Sequence, residues 1–222
     1  MARRCDARFP ASGHTVTNGR QQGSSGGDGT MSERGTDGTT LPLEGMTVVV
    51  LAGEGVEDLE YWVTVMRLRE GGAHVVSAGT SLEPARGKNG LAVRAEVHVK
   101  DLEPVSVDAV VIPGGWLPDK LRRHPEVTAL VRAVHDAGRP IGIICHGGLI
   151  AISAGIVGRD HPVTGSLGIR DDLVNAGGRW VDEAAFRDGN QVWGRVVEDI
   201  PAFERELVAL LAEHNAARGG AR

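Results

Sequence analysis

The stretch Pro140-Ile-Gly-Ile-Ile-Cys-His-Gly-Gly-Leu-Ile-Ala-Ile152 changes character in its middle. Up to Ile144 it is a short apolar run, the pattern of a strand covered on both faces. From Leu149 it resumes as apolar helix, and the small residues Gly147 and Gly148 leave room for a sharp turn between the two. Cys145 therefore stands at a strand-to-helix junction, where a tight turn presents a side chain at the rim of a sheet. A helix N-terminus aimed at that sulfur favours thiolate by about 1 kcal/mol, a little under one pKa unit. His146, beside it, is the candidate base, and an imidazole in that role needs an orienting acid.

Working outward, the same alternation recurs. Thr47–Ala52 and Asp108–Ile112 are β-branched apolar runs, and Ala73–Ala78 makes another strand. Leu59, Trp62, Val63 and Met66 fall at helical spacing and predict the buried face of a helix that stops at Gly71-Gly72. Residues 83–99, with Lys88-Asn-Gly90 at their centre, read as a β-hairpin excursion. A helix is expected around 125–137. A last one carries Phe203, Leu207, Leu210, Leu211 and His214 on one face, with Pro201 suited to its first turn. Strands alternating with helices of this length predict an α/β fold with a mostly parallel sheet and helices on both sides.

Composition bounds the rest. The chain has 222 residues, 41% of them hydrophobic, enough for one domain with a tail. Its formal net charge of −5 argues against nucleic-acid or anionic-membrane partners. No run approaches the ~20 apolar residues of a membrane span. Two cysteines, Cys5 and Cys145, do not make a disulfide scaffold and point to a reducing, cytoplasmic setting. Residues 1–45 are polar and glycine-rich and are expected to be a disordered tail. Translation starting at Met31 or Met46 is an equal alternative reading of that segment. No apolar stretch follows Met-Ala-Arg-Arg4, so export is not expected. The folded domain is expected over 46–216, with a flexible end at 217–222.

Ligands of open α/β sheets bind beyond the carboxyl ends of the strands, and three such ends carry unusual chemistry. The first holds Glu54, Glu57, Asp58 and Glu60, the third Pro113-Gly-Gly115 and then Asp119, and the fourth Cys145-His146. Glu57 has two readings: an acid complementing a helix dipole, as Asp58 and Glu60 would, or a protonated carboxyl sharing a hydrogen bond with the Cys145 sulfur.

Taken together, Gly55-Val-Glu-Asp-Leu-Glu60, Val111-Ile-Pro-Gly-Gly115, Ile144-Cys-His-Gly147, and Gly168–Gly177 with Trp180-Val-Asp182 resemble the ThiJ/PfpI family. The resemblance runs from about residue 46 to 214. It implies a flavodoxin-like three-layer sandwich of the class I glutamine amidotransferase type. Cys145 would be the nucleophile, His146 its partner, and Glu57 the acid touching the sulfur. In the PfpI branch an acid after the Pro-Gly-Gly loop reaches across a subunit interface to the histidine; the matching residue is Asp119, so a homodimer or larger homo-oligomer is implied. Asp119 is one carbon shorter than the family's usual glutamate. Cys-His-Gly-Gly replaces the commoner Cys-His-Gly-Pro, and Trp116 stands where a basic residue often follows the double glycine.

The chemistry expected is attack of the Cys145 thiolate on a carbonyl, with the N–H groups of Gly115 and His146 as oxyanion donors. The family includes intracellular peptidases as well as glyoxalases and deglycases. Small aldehydes or glycated adducts are the first expectation and peptides the second. A non-enzymatic redox sensor built on an oxidisable cysteine is the rival of another class. No cofactor is expected. The acids after the first strand would repel the phosphate of a flavin, and the eight histidines show no metal-ligand spacing. Neither His161 nor His214 has the acid two residues away that a glutamine amidotransferase uses. Nothing basic and helical after residue 216 could serve as a DNA-binding module.

Overall fold

A computed structural model describes residues 40–219. The expectations for the tail up to residue 39, Cys5 and Met31 included, and for residues 220–222 lie outside the described residues. Along the chain, β1 (Thr47–Leu51) leads to α1 (Asp58–Glu70) and β2 (His74–Gly79). A short hairpin, β3 (Ala85–Arg86) and β4 (Ala92–Val93), and an edge strand, β5 (Val97–His98), follow. Next come β6 (Ala109–Ile112), α2 (Leu117–Leu121), α3 (Pro125–Asp136), β7 (Ile141–Ile144) and α4 (Gly148–Ser153). The last third holds β8 (Pro162–Val163), α5 (Arg170–Asn175), β9 (Arg179–Trp180), β10 (Ala185–Asp188), β11 (Gln191–Gly194) and α6 (Ile200–Gly219).

Seven strands form one sheet in the order β10-β11-β7-β6-β1-β2-β5, parallel throughout except for the β10–β11 hairpin at its edge. This is the α/β arrangement that the alternation predicts, in the flavodoxin-like form that the family resemblance implies. The apolar runs lie in the middle: residues 48–51, 109–112 and 141–144 are all buried, as strands covered on both faces must be. Helices α1 and α6 pack together on the sheet, and α2, α3, α4 and α5 form a second group. The excursion at 83–99 is present as the β3–β4 hairpin.

Three expectations are corrected. The folded part begins before residue 46, because Leu43 is fully buried and its N–H donates to the Gly71 carbonyl. At the other end, α6 continues to Gly219, with Arg218 ion-paired to Asp108. The third concerns α1. Leu59 and Met66 are 49% and 62% exposed, and Val63 is also exposed, while the buried side carries Asp58, Glu60, Tyr61, Thr64, Val65 and Leu68. Each polar group there has a partner. Asp58 accepts from the backbone of Asn89 and Leu91, Glu60 from Gly114, Tyr61 shares a hydrogen bond with Ser77, and Thr64 donates to Glu204. Hydrogen bonds to these groups lower the cost of burying a polar face, and here that face has displaced the apolar one.

Candidate active site

The site forms where β1, β6 and β7 end side by side, at the point where the strand order turns back on either side of β1. The loops after β1 and β6 are tied together. Val56 and Gly115 form an isolated bridge, Glu57 N–H donates to Gly114 O at 3.1 Å, and Trp116 N–H donates to Gly55 O at 2.7 Å. Both glycines of Pro113-Gly-Gly115 are dictated by this closeness. A Cβ on Gly115 would lie 2.4 Å from the Gly55 oxygen, and one on Gly114 would lie 2.7 Å from the Cβ of Cys145.

Cys145 has φ +57°, one of two non-glycine residues with positive φ among those described. A left-handed conformation at a cysteine costs about 1–2 kcal/mol, and such strain is held where the surroundings over-determine it. Here it turns the chain from β7 into a short 3₁₀ turn, Cys145–Gly147, and then α4. The sulfur is half-buried and lies 3.3 Å from His146 Nδ1. The backbone N–H groups of His146 and Gly115, expected as oxyanion donors, lie close enough to the sulfur to lower its pKa.

The acid at the sulfur is Glu60, and the reading that placed Glu57 there is corrected. Glu60 is fully buried; its Oε2 accepts from Gly114 N–H at 2.6 Å and, together with the Cys145 Cβ, crowds the same face of Gly114, so the carboxyl and the thiol act on each other's ionisation. Oε1 is buried with no hydrogen-bond partner among the described residues. Glu57 ends the loop before α1, and its carboxylate takes Asn89 Nδ2 at 3.1 and 3.3 Å and Lys88 Nζ at 3.5 Å. One helical turn separates the two acids. Glu57 faces the hairpin, and Glu60, at the third helical position, faces the strand ends.

Burial pushes the Glu60 carboxyl up to about 7, opposed chiefly by the Gly114 N–H. Burial and the adjacent Glu60 charge push the Cys145 thiol up as well, to about 12, against the pull of the two backbone N–H groups. The expected thiolate bias from the helix end is therefore overridden at rest: α4 is only six residues long, and desolvation outweighs its dipole. His146 moves the other way. Burial, and then the Lys88 charge, lower its pKa, so at neutral pH it is an uncharged imidazole able to take a proton from the thiol. With its proton on Nε2, Nδ1 is the acceptor facing the sulfur.

Asp119 does not join this cluster within the chain. It lies on the exposed side of α2, where its carboxylate is bound by Arg123. Trp116 and Leu167 form exposed apolar groups at the rim, and Gly168 lies against His146 Nε2. Sequence reasoning missed Glu60, Lys88 and Asn89 as site residues. The available signal was the i, i+4 row Val56–Glu60–Thr64–Leu68, all four buried, in which an acid stands out once the correct helix face is chosen.

A strained cysteine on a strand-to-helix turn, with a buried acid and a neutral imidazole, defines a cysteine-centred α/β site. Comparison with known proteins narrows it. Residues 46–210 match the model of the DJ-1/PfpI family. Deglycase TK1284 of Thermococcus kodakarensis is 36% identical over 166 residues, covering 75% of this chain and 99% of that protein. The putative cysteine protease YraA of Bacillus subtilis is 33% identical, covering 74% and 97%. Among solved structures, a two-domain protein of Anabaena variabilis, with DJ-1/ThiJ/PfpI-like and ferritin-like domains, has a TM-score of 0.73 at 33% identity. That match covers 75% of this chain and 48% of the other. Schizosaccharomyces pombe DJ-1 shares the fold, with a TM-score of 0.68 at 19% identity, over 79% and 98% of the two chains. The chain belongs to the DJ-1/PfpI family.

Proposed function

We propose that the protein is a cysteine-dependent enzyme acting on small aldehydes or glycated adducts, in the manner of a glyoxalase or deglycase. The observation that carries this reading is the Cys145–Glu60–His146 cluster, in which a half-buried thiol meets a carboxyl that holds its proton up to about 7 and an uncharged imidazole. The names of curated relatives, deglycases at 36–37% identity, agree with it.

With methylglyoxal, the Cys145 sulfur attacks the aldehyde carbon while His146 takes the thiol proton and returns it to the carbonyl oxygen, giving a thiohemiacetal. The N–H groups of Gly115 and His146 carry the oxygen's charge as it develops. A proton then leaves the former aldehyde carbon and one is gained at the neighbouring carbon, leaving a lactoyl thioester. Water cleaves the thioester to lactate and restores the thiol. The balance is one methylglyoxal and one water to one lactate, an internal redox step that needs no external oxidant or reductant.

A peptidase is the second reading, favoured by the relative named as a putative cysteine protease. Both begin with the same attack, so product analysis separates them. Purified protein is incubated with methylglyoxal and, separately, with casein. Lactate without casein fragments is expected; casein cleavage without lactate reverses the ranking.

The proposal includes a cytoplasmic protein working as a homo-oligomer, with Asp119 of one subunit approaching His146 of another. Asp119 is exposed and on α2, which follows the Gly115 loop directly, so it is available to such an approach.

A further inference from the structure

We propose that Lys88 selects substrates carrying a carboxylate near the reacting carbonyl, by holding an ammonium group at the mouth of the Cys145 site. This deepens the carbonyl-enzyme reading and rests on it for the substrate class.

The tip of the β3–β4 hairpin is built to keep Lys88 in place. Lys88 N–H donates to Val56 O at 2.7 Å, while Asn89 N–H and Leu91 N–H donate to the two Asp58 oxygens at 2.6 and 2.7 Å. Gly87 lies so close to that carboxylate that a Cβ would stand 2.4 Å from Asp58 Oδ1. Asn89 Nδ2 adds its contacts to Glu57. Val56 and Glu57 are themselves bonded to Gly115 and Gly114, and Gly114 abuts Cys145. Lys88 is thus anchored by backbone to the loop that forms one wall of the site. Its charge is felt at both His146 and Glu60.

The ammonium is held without being used up. Its distance to Glu57 Oε2 is 3.5 Å, longer than an ordinary N–H···O hydrogen bond, and its side chain is 42% exposed. The Glu57 carboxylate also accepts hydrogen bonds from Asn89 Nδ2, so its oxygens do not depend on Lys88 alone. Donors therefore remain for an incoming anion. A carboxylate fits better than a phosphate. The Lys88 ammonium carries one positive charge, and the Glu57 carboxylate 3.5 Å from it opposes a group of higher negative charge.

The test compares alkylation of Cys145 by iodoacetate and by iodoacetamide, two reagents of nearly the same shape that differ in charge. Rates are followed on the Cys145 peptide, in the wild type, Lys88→Met and Lys88→Arg. The iodoacetate-to-iodoacetamide ratio is expected to fall about fivefold in Lys88→Met, the size of a partly exposed ion pair. It should be retained in Lys88→Arg and decline with salt in the wild type. An unchanged ratio in Lys88→Met overturns the proposal. This reading needs no turnover, so a protein that converts no carbonyl refutes the proposed function without touching it. The kinetic arm uses methylglyoxal adducts of N-acetylcysteine and of its amide. Lys88→Met should raise KM for the carboxylate adduct several-fold more than for the amide adduct, while any change in kcat that comes through His146 and Glu60 is common to both; an equal change in KM for the two adducts also overturns the assignment.

Discussion

At Cys145, the backbone strain, the half-buried sulfur and the neighbouring carboxyl belong to one arrangement. A thiol whose ionisation is opposed by burial is a poor spontaneous nucleophile, so attack depends on a proton leaving as the sulfur–carbon bond forms. In the proposed mechanism His146 accepts it, being uncharged at neutral pH because burial and the Lys88 charge hold its pKa below the usual imidazole value. Glu60, protonated below about 7, adds no negative charge beside the sulfur; above that pH its carboxylate opposes charge on both the sulfur and the oxyanion. The pH profile of kcat/KM should therefore be a bell, with an acid limb below the ordinary imidazole range and an alkaline limb near 7. Glu60→Gln should remove the alkaline limb and Glu57→Gln should leave it. A limb that persists in Glu60→Gln and vanishes in Glu57→Gln would return the acid to position 57. The cysteine and histidine were legible in the sequence because strand end, glycines and helix start are all local signals. The choice between Glu57 and Glu60 was not, since the two stand three residues apart at the start of one helix and only the packing of α1 decides which faces the sulfur.

Among the elements, α1 shows why that packing was hidden. Leu59, Val63 and Met66 share the outer face, and the inner face is polar because it lies against the site and against α6. There Thr64 donates to Glu204, a carboxyl 5% exposed that burial raises to about 7, with its Oε2 unpartnered. A carboxyl whose pKa is about 4.5 in the unfolded chain and about 7 when folded binds more protons in the folded state. Its contribution is complete below about 4.5 and is lost as pH rises to about 7, on the order of 3 kcal/mol. Glu60 adds a loss of the same sign. Glu204→Gln keeps the Thr64 contact and removes the charge, so it should raise Tm at pH 8 by several degrees and have little effect at pH 4.5. Equal Tm shifts at both pH values would contradict this account of α6. The strands were easier to read: residues buried on both sides of a sheet have no polar face to obscure the pattern, and 47–51, 109–112 and 141–144 fall where their apolar runs do.

Across the whole molecule, the order β7-β6-β1 brings together three strand ends that are up to ninety-odd residues apart in the chain, and with them Glu60, Gly115 and Cys145. The existence of such a site follows from the α/β alternation. Its inner contacts depend on loop-to-loop bonds that no local pattern encodes, such as the Val56–Gly115 bridge. Asp119 belongs to this scale as well. Its carboxylate is bound by Arg123 on the exposed side of α2, and its proposed role at His146 is one played across a subunit interface. Activity per subunit should then fall on dilution below the subunit dissociation constant, and more steeply than the loss of folded protein; activity independent of concentration would exclude the shared site. The claim beneath all of these is that the Cys145 sulfur bonds to the substrate carbon, and lactate formation from methylglyoxal by wild type and a folded Cys145→Ala variant, side by side, tests it most directly. The wild type should release lactate and Cys145→Ala none above the uncatalysed rate; a Cys145→Ala variant that turns over like the wild type would contradict it.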